Sequence, residues 1–308
     1  MIPVLDWSRF TDRTDRDGFV QDLHHACRDT GFFLVSDHGV PQSLIDDAFQ
    51  AADAFFNLPD EVKARSDIRL SRNNRGWSAE GTENLDDSKP DQVDRKEAFN
   101  IGLELAPDDP RMGQPFRGPN NWPEELPGFR DRMLAYFDAV HKLGVDLHHA
   151  IALDLGLPED YFDPFLDEPL ATLRMLHYPA GDPAPGTIGA GEHTDYGSIT
   201  ILMGDGEPGL QLKPRGKDWI DVPRIPGAFI VNIADCLMRW TNDIYVSTPH
   251  RVLVPKRQRR SLAFFLDPNP DAVIQALPGT GVAKYPPVTG AEYLKMRLDA
   301  TYRDKVTA

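Results

Sequence analysis

TLRMLHYPAGDPAPGTIGAGEHTDYGSITILM, residues 172–203, decides how the chain folds. It opens on an apolar run, breaks over the turn cluster GDPAPG, and resumes as SITILM at 198–203. The same texture continues through GLQLK (209–213), WIDV (219–222), AFIVNI (228–233), HRVLV (250–254) and SLAFFL (261–266). GDGEPG and PRGKD punctuate it. Runs this short, rich in β-branched and aromatic residues and bounded by Gly, Pro and Asp, are strands joined by tight connections. Seven of them at near-regular spacing predict a sandwich or jelly roll.

Upstream the texture is helical. Phe19, Leu23, Ala26 and Cys27 recur at helical spacing, with Gly31 placed to end the helix. GFFLV (31–35) is a short strand-forming run, and Leu44, Ala48, Ala51 and Phe55 form a second helical stripe. Residues 66–95 are polar and turn-rich and read as a long loop, of the kind that often carries function. Phe129, Met133, Phe137, Val140, Gly144, Leu147 and Ile151 mark one face of a long helix, which needs a broad surface to cover it. At the other end, Thr289 and Glu292 make a capping-box pattern ahead of Tyr293, Met296, Leu298 and Tyr302. The expected fold is mixed α+β. The expected divisions are an N-terminal region 1–110, a connecting helix region 111–170, a jelly-roll core 171–275 and a C-terminal helix 276–308.

Composition narrows the function. The chain has 308 residues, 41% hydrophobic and 26% charged, and a net charge of -15, which argues against nucleic acid or an anionic membrane as partner. No apolar stretch approaches the roughly 20 residues of a membrane span. The 2 cysteines exclude a disulfide framework and, with no leader pattern visible at the start, suggest a cytoplasmic protein acting on a small molecule.

His193-Thr194-Asp195 is the sharpest local feature. On a strand, positions i and i+2 share a face, so the imidazole and the carboxylate would project together. A third ligand has to come from elsewhere, and His250, at the head of HRVLV, is the best of the 9 histidines. Two imidazoles and one carboxylate form the facial triad of non-haem Fe(II) oxygenases, which leaves positions for a chelating cosubstrate and dioxygen. The tripeptide alone is common by chance. His24, His25, His141, His148 and His149 read as surface or satisfied core groups on helices, His38 as part of a turn, and His177 as facing away from Tyr178. The second feature is Arg259-Arg260-Ser261. Alternation sends Arg259 and Ser261 to one face, where a guanidinium fork beside a hydroxyl suits a carboxylate, and Arg260 to the other. A solvated basic hairpin would look similar. Its position nine residues after His250 brings it within one hairpin of the proposed ligand.

Taken together, these segments resemble the isopenicillin N synthase-like group of Fe(II)- and 2-oxoglutarate-dependent oxygenases. IPVLDWS (2–8) and GFFLVSDHGVP (31–41) resemble its N-terminal domain. LRMLHYP (173–179), GEHTDYGSITIL (191–202), VNIADCLMRWTN (231–242), STPHRV (247–252) and RRSLAFFLDPN (259–269) resemble its catalytic core. The resemblance implies a double-stranded β-helix with flanking helices. It also implies Fe(II) on His193, Asp195 and His250, and 2-oxoglutarate on Arg259 and Ser261 with Tyr178 alongside. Where many relatives carry Asn two positions before that tyrosine, this chain has Leu176. The implied reaction consumes O2, releases succinate and CO2, and hydroxylates or desaturates a small molecule. Mn, Ni or Zn are expected to compete for the same ligands.

The substrate is less legible. Arg75, in RNNRGW, resembles a position where relatives place a substrate-facing arginine. Arg75, Trp77 and Phe99 are therefore the candidate pocket residues, with a substrate carboxylate implied if Arg75 faces the cavity. Phe229, Ile199 and Phe264 are candidates for an apolar cavity wall, or else plain core. Two other functions stay open: an iron-dependent oxidase of the same fold that needs no 2-oxoglutarate, and a non-catalytic ligand-binding jelly roll.

Overall fold

The computed structural model describes residues 2–302 apart from Asp87, Pro90 and Pro183, and the side chains of residues 2–299. Strand β1 (Val4–Asp6) leads through α1 (Ser8–Thr11) into α2 (Arg16–Asp29). Phe19, Leu23, Ala26 and Cys27 are all buried on α2. Gly31 ends it at φ 62°, returning its N–H to Ala26 O at 2.9 Å, and a Cβ there would collide with Val246 O. Strand β2 (Phe32–Ser36), α3 (Gln42–Phe56) and α4 (Asp60–Lys63) follow. The segment read as a loop is only partly irregular. It contains 3-10 turns at Ala64–Ser66 and Ile68–Leu70, β3 (Gly76–Ser78) and β4 (Val93–Asp94), with β5 (Glu97–Gly102) just beyond. Helix α5 (Phe129–Asp154) and the short α6 (Asp163–Leu166) lead to the core.

The core runs β6 (Thr172–Tyr178), β7 (Thr187–Ile188), β8 (Ala190–His193), β9 (Ile199–Gly204), β10 (Leu210–Leu212), β11 (Ile220–Asp221) and β12 (Phe229–Ile233). Helix α7 (Asp235–Trp240), β13 (His250–Val252) and β14 (Arg259–Leu266) complete it. Strands β15 (Val273–Ile274) and β16 (Val288–Thr289) and helix α8 (Gly290–Tyr302) close the described chain. One sheet has the order β1-β2-β12-β9-β14-β6-β5-β3 and the other β11-β10-β13-β8. Apart from β7, which pairs with β4, the core strands divide four and four between two sheets and are antiparallel to one another. This is a jelly roll, as the strand spacing predicts, in the double-stranded β-helix form that the resemblance implies. The N-terminal strands β1, β2, β3 and β5 extend the larger sheet on both sides.

Strand alternation gives the larger sheet two apolar faces. On its outer face Phe33, Phe99, Leu173, Ile201, Phe229 and Phe264 pack with α2, α3 and α5. The stripe on α5 meets that surface, and Gly144 lets the helix come close enough that a Cβ would sit 2.7 Å from Leu266 Cδ2. His148, fully buried on α5, lies 2.7 Å from Gly144 O through Nδ1 and 2.7 Å from Ser198 Oγ through Nε2. The inner face, with Phe32, Leu34, Leu176, Tyr178 and Ala263, packs against Ala190, Leu210, Leu212 and Val252 of the smaller sheet. The capping box of α8 forms: Glu292 Oε2 accepts from Thr289 N at 2.9 Å, and Thr289 Oγ1 from Glu292 N at 3.3 Å. Tyr293 is buried but Met296 is half exposed, while Leu294 and Leu298 face the space between the sheets. The Tyr302 side chain lies outside the described residues.

Candidate metal centre and cavity

His193 and His250 are directly opposed on the antiparallel strands β8 and β13, which places their rings 4.3 Å apart. Asp195 joins them from outside the sheet. Strand β8 ends at His193, so the reason given above for the His-x-Asp pair needs correcting: no strand alternation aligns it. Instead the turn after β8 is tied to α7, with Asp235 N donating to Asp195 O at 2.9 Å and Thr194 Oγ1 donating to Asp235 Oδ2 at 2.9 Å. Asp195 Oδ1 then lies 3.7 Å from His193 Nε2 and 3.6 Å from His250 Nε2. One ligand atom from each of the three residues falls within 4.8 Å of the others.

The surroundings prepare those atoms. His193 Nδ1 is 2.7 Å from Gly191 O, and His250 Nδ1 is 3.2 Å from Thr248 O. A carbonyl on Nδ1 calls for a proton there and leaves the Nε2 lone pair free for a cation, the usual arrangement behind metal-bound histidine. Asp195 Oδ2 is held from behind by Thr200 Oγ1 at 2.6 Å and Asn232 Nδ2 at 2.8 Å, so Oδ1 alone points forward. Burial and the nearby His250 push His193 down to about 3. Burial works against ionisation of Asp195, but His250 outweighs it and holds the carboxyl well below its ordinary value. Burial also opposes charge on His250, where Asp195 outweighs it and raises the imidazole. A cation between the three groups would take the place of that shared proton.

Arg259 and Ser261 share the inner face of β14, with Arg259 Nη1 3.4 Å from Ser261 Oγ and the guanidinium 4.8 Å over the Tyr178 ring. Tyr178 lies opposite Arg259 in the register with β6. Arg259 is 3% exposed, its Nε has no partner, and among the described residues no carboxylate pairs with it. Arg260 points the other way, onto Asp53 and Asp205.

His193, Asp195, His250 and Tyr178 border a cavity of about 210 Å³ between the sheets. Arg75 lines it. Gly76, at φ 111°, breaks the alternation and turns the Arg75 side chain inward, away from Trp77. Trp77 and Phe99 are opposite each other on β3 and β5 but lie on the outer face, away from the lining. Trp77 Nε1 donates to Glu97 Oε2 at 2.8 Å, and Phe99 packs on Phe55 and Phe129. The cavity wall has the same parity correction. Phe229, Ile199 and Phe264 belong to the outer core, and their neighbours Ile230, Thr200 and Phe265 line the cavity. Sequence reasoning also missed Lys96, Asn100, Arg174 and Asp267 of the lining. Lys96 pairs with Asp94 at 2.6 Å, and Arg174 with Glu83 at 2.5 Å. Burial opposes ionisation of Glu83, yet Arg174 and Lys96 hold it down at about 2. Asp94 Oδ1 in turn accepts from Gly191 N at 3.0 Å, bracing the strand that carries His193.

A jelly roll with two imidazoles and one carboxylate on one cavity, and a buried arginine against the tyrosine of its wall, defines a non-haem iron oxygenase that works with a 2-oxo acid. Two family models match: the non-haem dioxygenase in morphine synthesis N-terminal family over residues 2–125, and the 2OG-Fe(II) oxygenase superfamily over residues 169–268. The chain is 37% identical over 317 residues to a 2-oxoglutarate-Fe(II) type oxidoreductase of Emericella nidulans, spanning 97% of this chain and 90% of that protein. A full-length Neurospora crassa protein, crystallised in complex with alpha-KG, superposes with a TM-score of 0.88 at 35% identity, covering 98% of this chain and 96% of that one. A 2OG-Fe(II) oxygenase family protein from Caulobacter crescentus superposes with a TM-score of 0.87 at 31% identity, covering 97% and 98%. The chain belongs to the 2OG-Fe(II) oxygenase superfamily.

Proposed function

We propose that this chain is a dioxygenase that oxidises a small molecule by hydroxylation or desaturation and turns 2-oxoglutarate and O2 into succinate and CO2. His193 Nε2, Asp195 Oδ1 and His250 Nε2 hold Fe(II). The fit rests on two lone pairs freed by backbone carbonyls and one carboxylate oxygen left forward by Thr200 and Asn232. Bound there, iron supplies the activation of O2 that no side chain can provide. Arg259, Ser261 and Tyr178 take the distal carboxylate of 2-oxoglutarate. The orphaned Arg259 Nε is the observation that favours the cosubstrate over direct oxidation of a substrate.

The rest of the protein's work is orientation and exclusion of water. Leu176, Leu202, Ile230 and Ala263 give the cavity an apolar wall against which the cosubstrate can be oriented. Leu294 and Leu298 of α8 complete the lining. In this reading 171–275 carries metal and cosubstrate, while 1–110, through Arg75, and 276–308, through α8, meet the substrate; 111–170 supports the sheet from behind. Arg75 offers the substrate a carboxylate partner or another hydrogen bond. The Neurospora protein has been solved with thymine as well as alpha-KG, a small ring of the size this cavity admits. No helix among the described residues is long and apolar enough to cross a membrane. A cytoplasmic setting accords with two free, buried thiols.

Measuring succinate tests the proposal. His193→Ala and Asp195→Ala are expected to abolish Fe(II)-dependent succinate formation while leaving the fold intact. Full activity in both would remove the triad assignment, and product without succinate in the parent protein would favour the oxidase.

A further inference from the structure

Resting on that reading, the outer end of the same cavity narrows the substrate. Register lays the inner-face side chains of β14, β6 and β5 in rows. Arg259 and Tyr178 form the first. Ser261, Leu176 and Ala98 come next, then Ala263, Arg174 and Asn100, and last Phe265, Thr172 and Gly102. The wall is therefore polar, then apolar, then polar again.

Arg75 reaches this outer end across Gly102, where any side chain would collide with its guanidinium. Its Nη1 donates to Thr172 Oγ1 at 3.1 Å, but its Nε is buried without a partner. Asn100, two positions from Gly102 on the same face, is 1% exposed. Its Nδ2 donates to Asn74 O at 3.4 Å, which leaves Oδ1 as the cavity-side acceptor, also buried without a partner. The other two cations of the lining are in ion pairs, Lys96 with Asp94 and Glu83, and Arg174 with Glu83. One donor and one acceptor are thus dehydrated by the fold on a single wall.

A ligand that satisfies both must bring an acceptor and a donor side by side. A carboxylate brings acceptors only and would leave Asn100 Oδ1 unpaired beside an anion. An amide brings a carbonyl and an N–H in one plane. The cavity is smaller than the roughly 300–1,000 Å³ usual for drug-sized ligands and must also admit the cosubstrate, which restricts the amide to a compact molecule. We propose that the substrate is a small neutral ring containing an amide or imide, its carbonyl accepting from Arg75 and its N–H donating to Asn100 Oδ1. This replaces the carboxylate that Arg75 alone suggested.

The test is titration calorimetry on the full chain loaded with Mn(II) and 2-oxoglutarate. The probes are uracil and 2-piperidone, their N-methylated counterparts, benzoate and proline. At least one parent ring is expected to bind about tenfold or more tightly than its N-methylated form and than benzoate, as sites built around a hydrogen bond reject analogues that lack it. Asn100→Leu is expected to erase that ratio. If neither ring outbinds its N-methylated form, or if benzoate or proline binds more tightly than both rings, the proposal is overturned. These ratios need no turnover. A wild-type protein that forms no succinate with Fe(II), 2-oxoglutarate and O2 fails the functional reading instead, so the two failures are separable.

Discussion

Asp195 has two oxygens with different duties. Oδ1 faces His193 and His250, and Oδ2 is held by Thr200 and Asn232. Thr200→Val keeps the shape and removes one of those donors. It is expected to weaken Fe(II) affinity about 10–100-fold, read by chelator competition, with little change in melting temperature. Arg259→Lys keeps the charge but loses the fork. The KM for 2-oxoglutarate is expected to rise about tenfold or more, with the fold preserved in circular dichroism. Of the six side chains proposed for metal and cosubstrate, His193, Asp195, His250, Arg259 and Ser261 stood out by residue type and spacing, and Tyr178 entered through the family resemblance alone. Thr200 and Asn232 did not stand out, since a threonine in SITILM and an asparagine in FIVNI look unremarkable singly. The signal was that both interrupt apolar runs and that β9 and β12 pair them with each other.

Seven of the eight core strands could be read from the sequence. The missing one is β8, Ala190–His193, which carries the first metal ligand. Its residues, AGEH, include no β-branched or aromatic side chain, and a glycine there has a reason: a Cβ on Gly191 would strike Asp86. Trp77 and Phe99 lie outside the lining, and Phe229, Ile199 and Phe264 proved the plain core that was the other reading, because a strand buried on both faces shows no alternation to reveal which face is which. The long helix α5 was clear, and His148 on it is the satisfied core group that its helical position allowed. His148 sits neutral, its Nε2 accepting from the Ser198 hydroxyl, and burial lowers it to about 4 from an ordinary 6.5. Between those values the unfolded chain binds a proton that the native chain refuses. The contribution is therefore complete above about pH 6.5 and shrinks as pH falls towards 4, by up to about 3 kcal/mol. Urea melts at pH 7 and pH 4.5 are expected to show this loss, and His148→Gln is expected to flatten it.

The whole molecule holds both thiols out of reach. Cys27 lies on the buried face of α2 and Cys236 on that of α7, each about fully buried, and burial raises both well above the ordinary thiol value. A disulfide reagent such as dithionitrobenzoate is expected to label neither in the native state and two per chain in denaturant. Its slow phase then reports global unfolding. Composition had set the class of partner, but not how the parts connect. Helix α8 is joined to the metal turn by Arg297, 2.7 Å from Asp235, which also accepts from Thr194 between the two ligands.

The two faces of β14 divide labour by odd and even positions: Arg259 and Ser261 share the inner face beside Tyr178, and Arg260 looks out to Asp53 and Asp205. Losing a single codon anywhere inside that strand would invert the assignment for one whole flank, sending the inner guanidinium outward and a core phenylalanine inward. Descendants of this gene can therefore exchange individual residues along β14 far more readily than they can shorten or lengthen it by one.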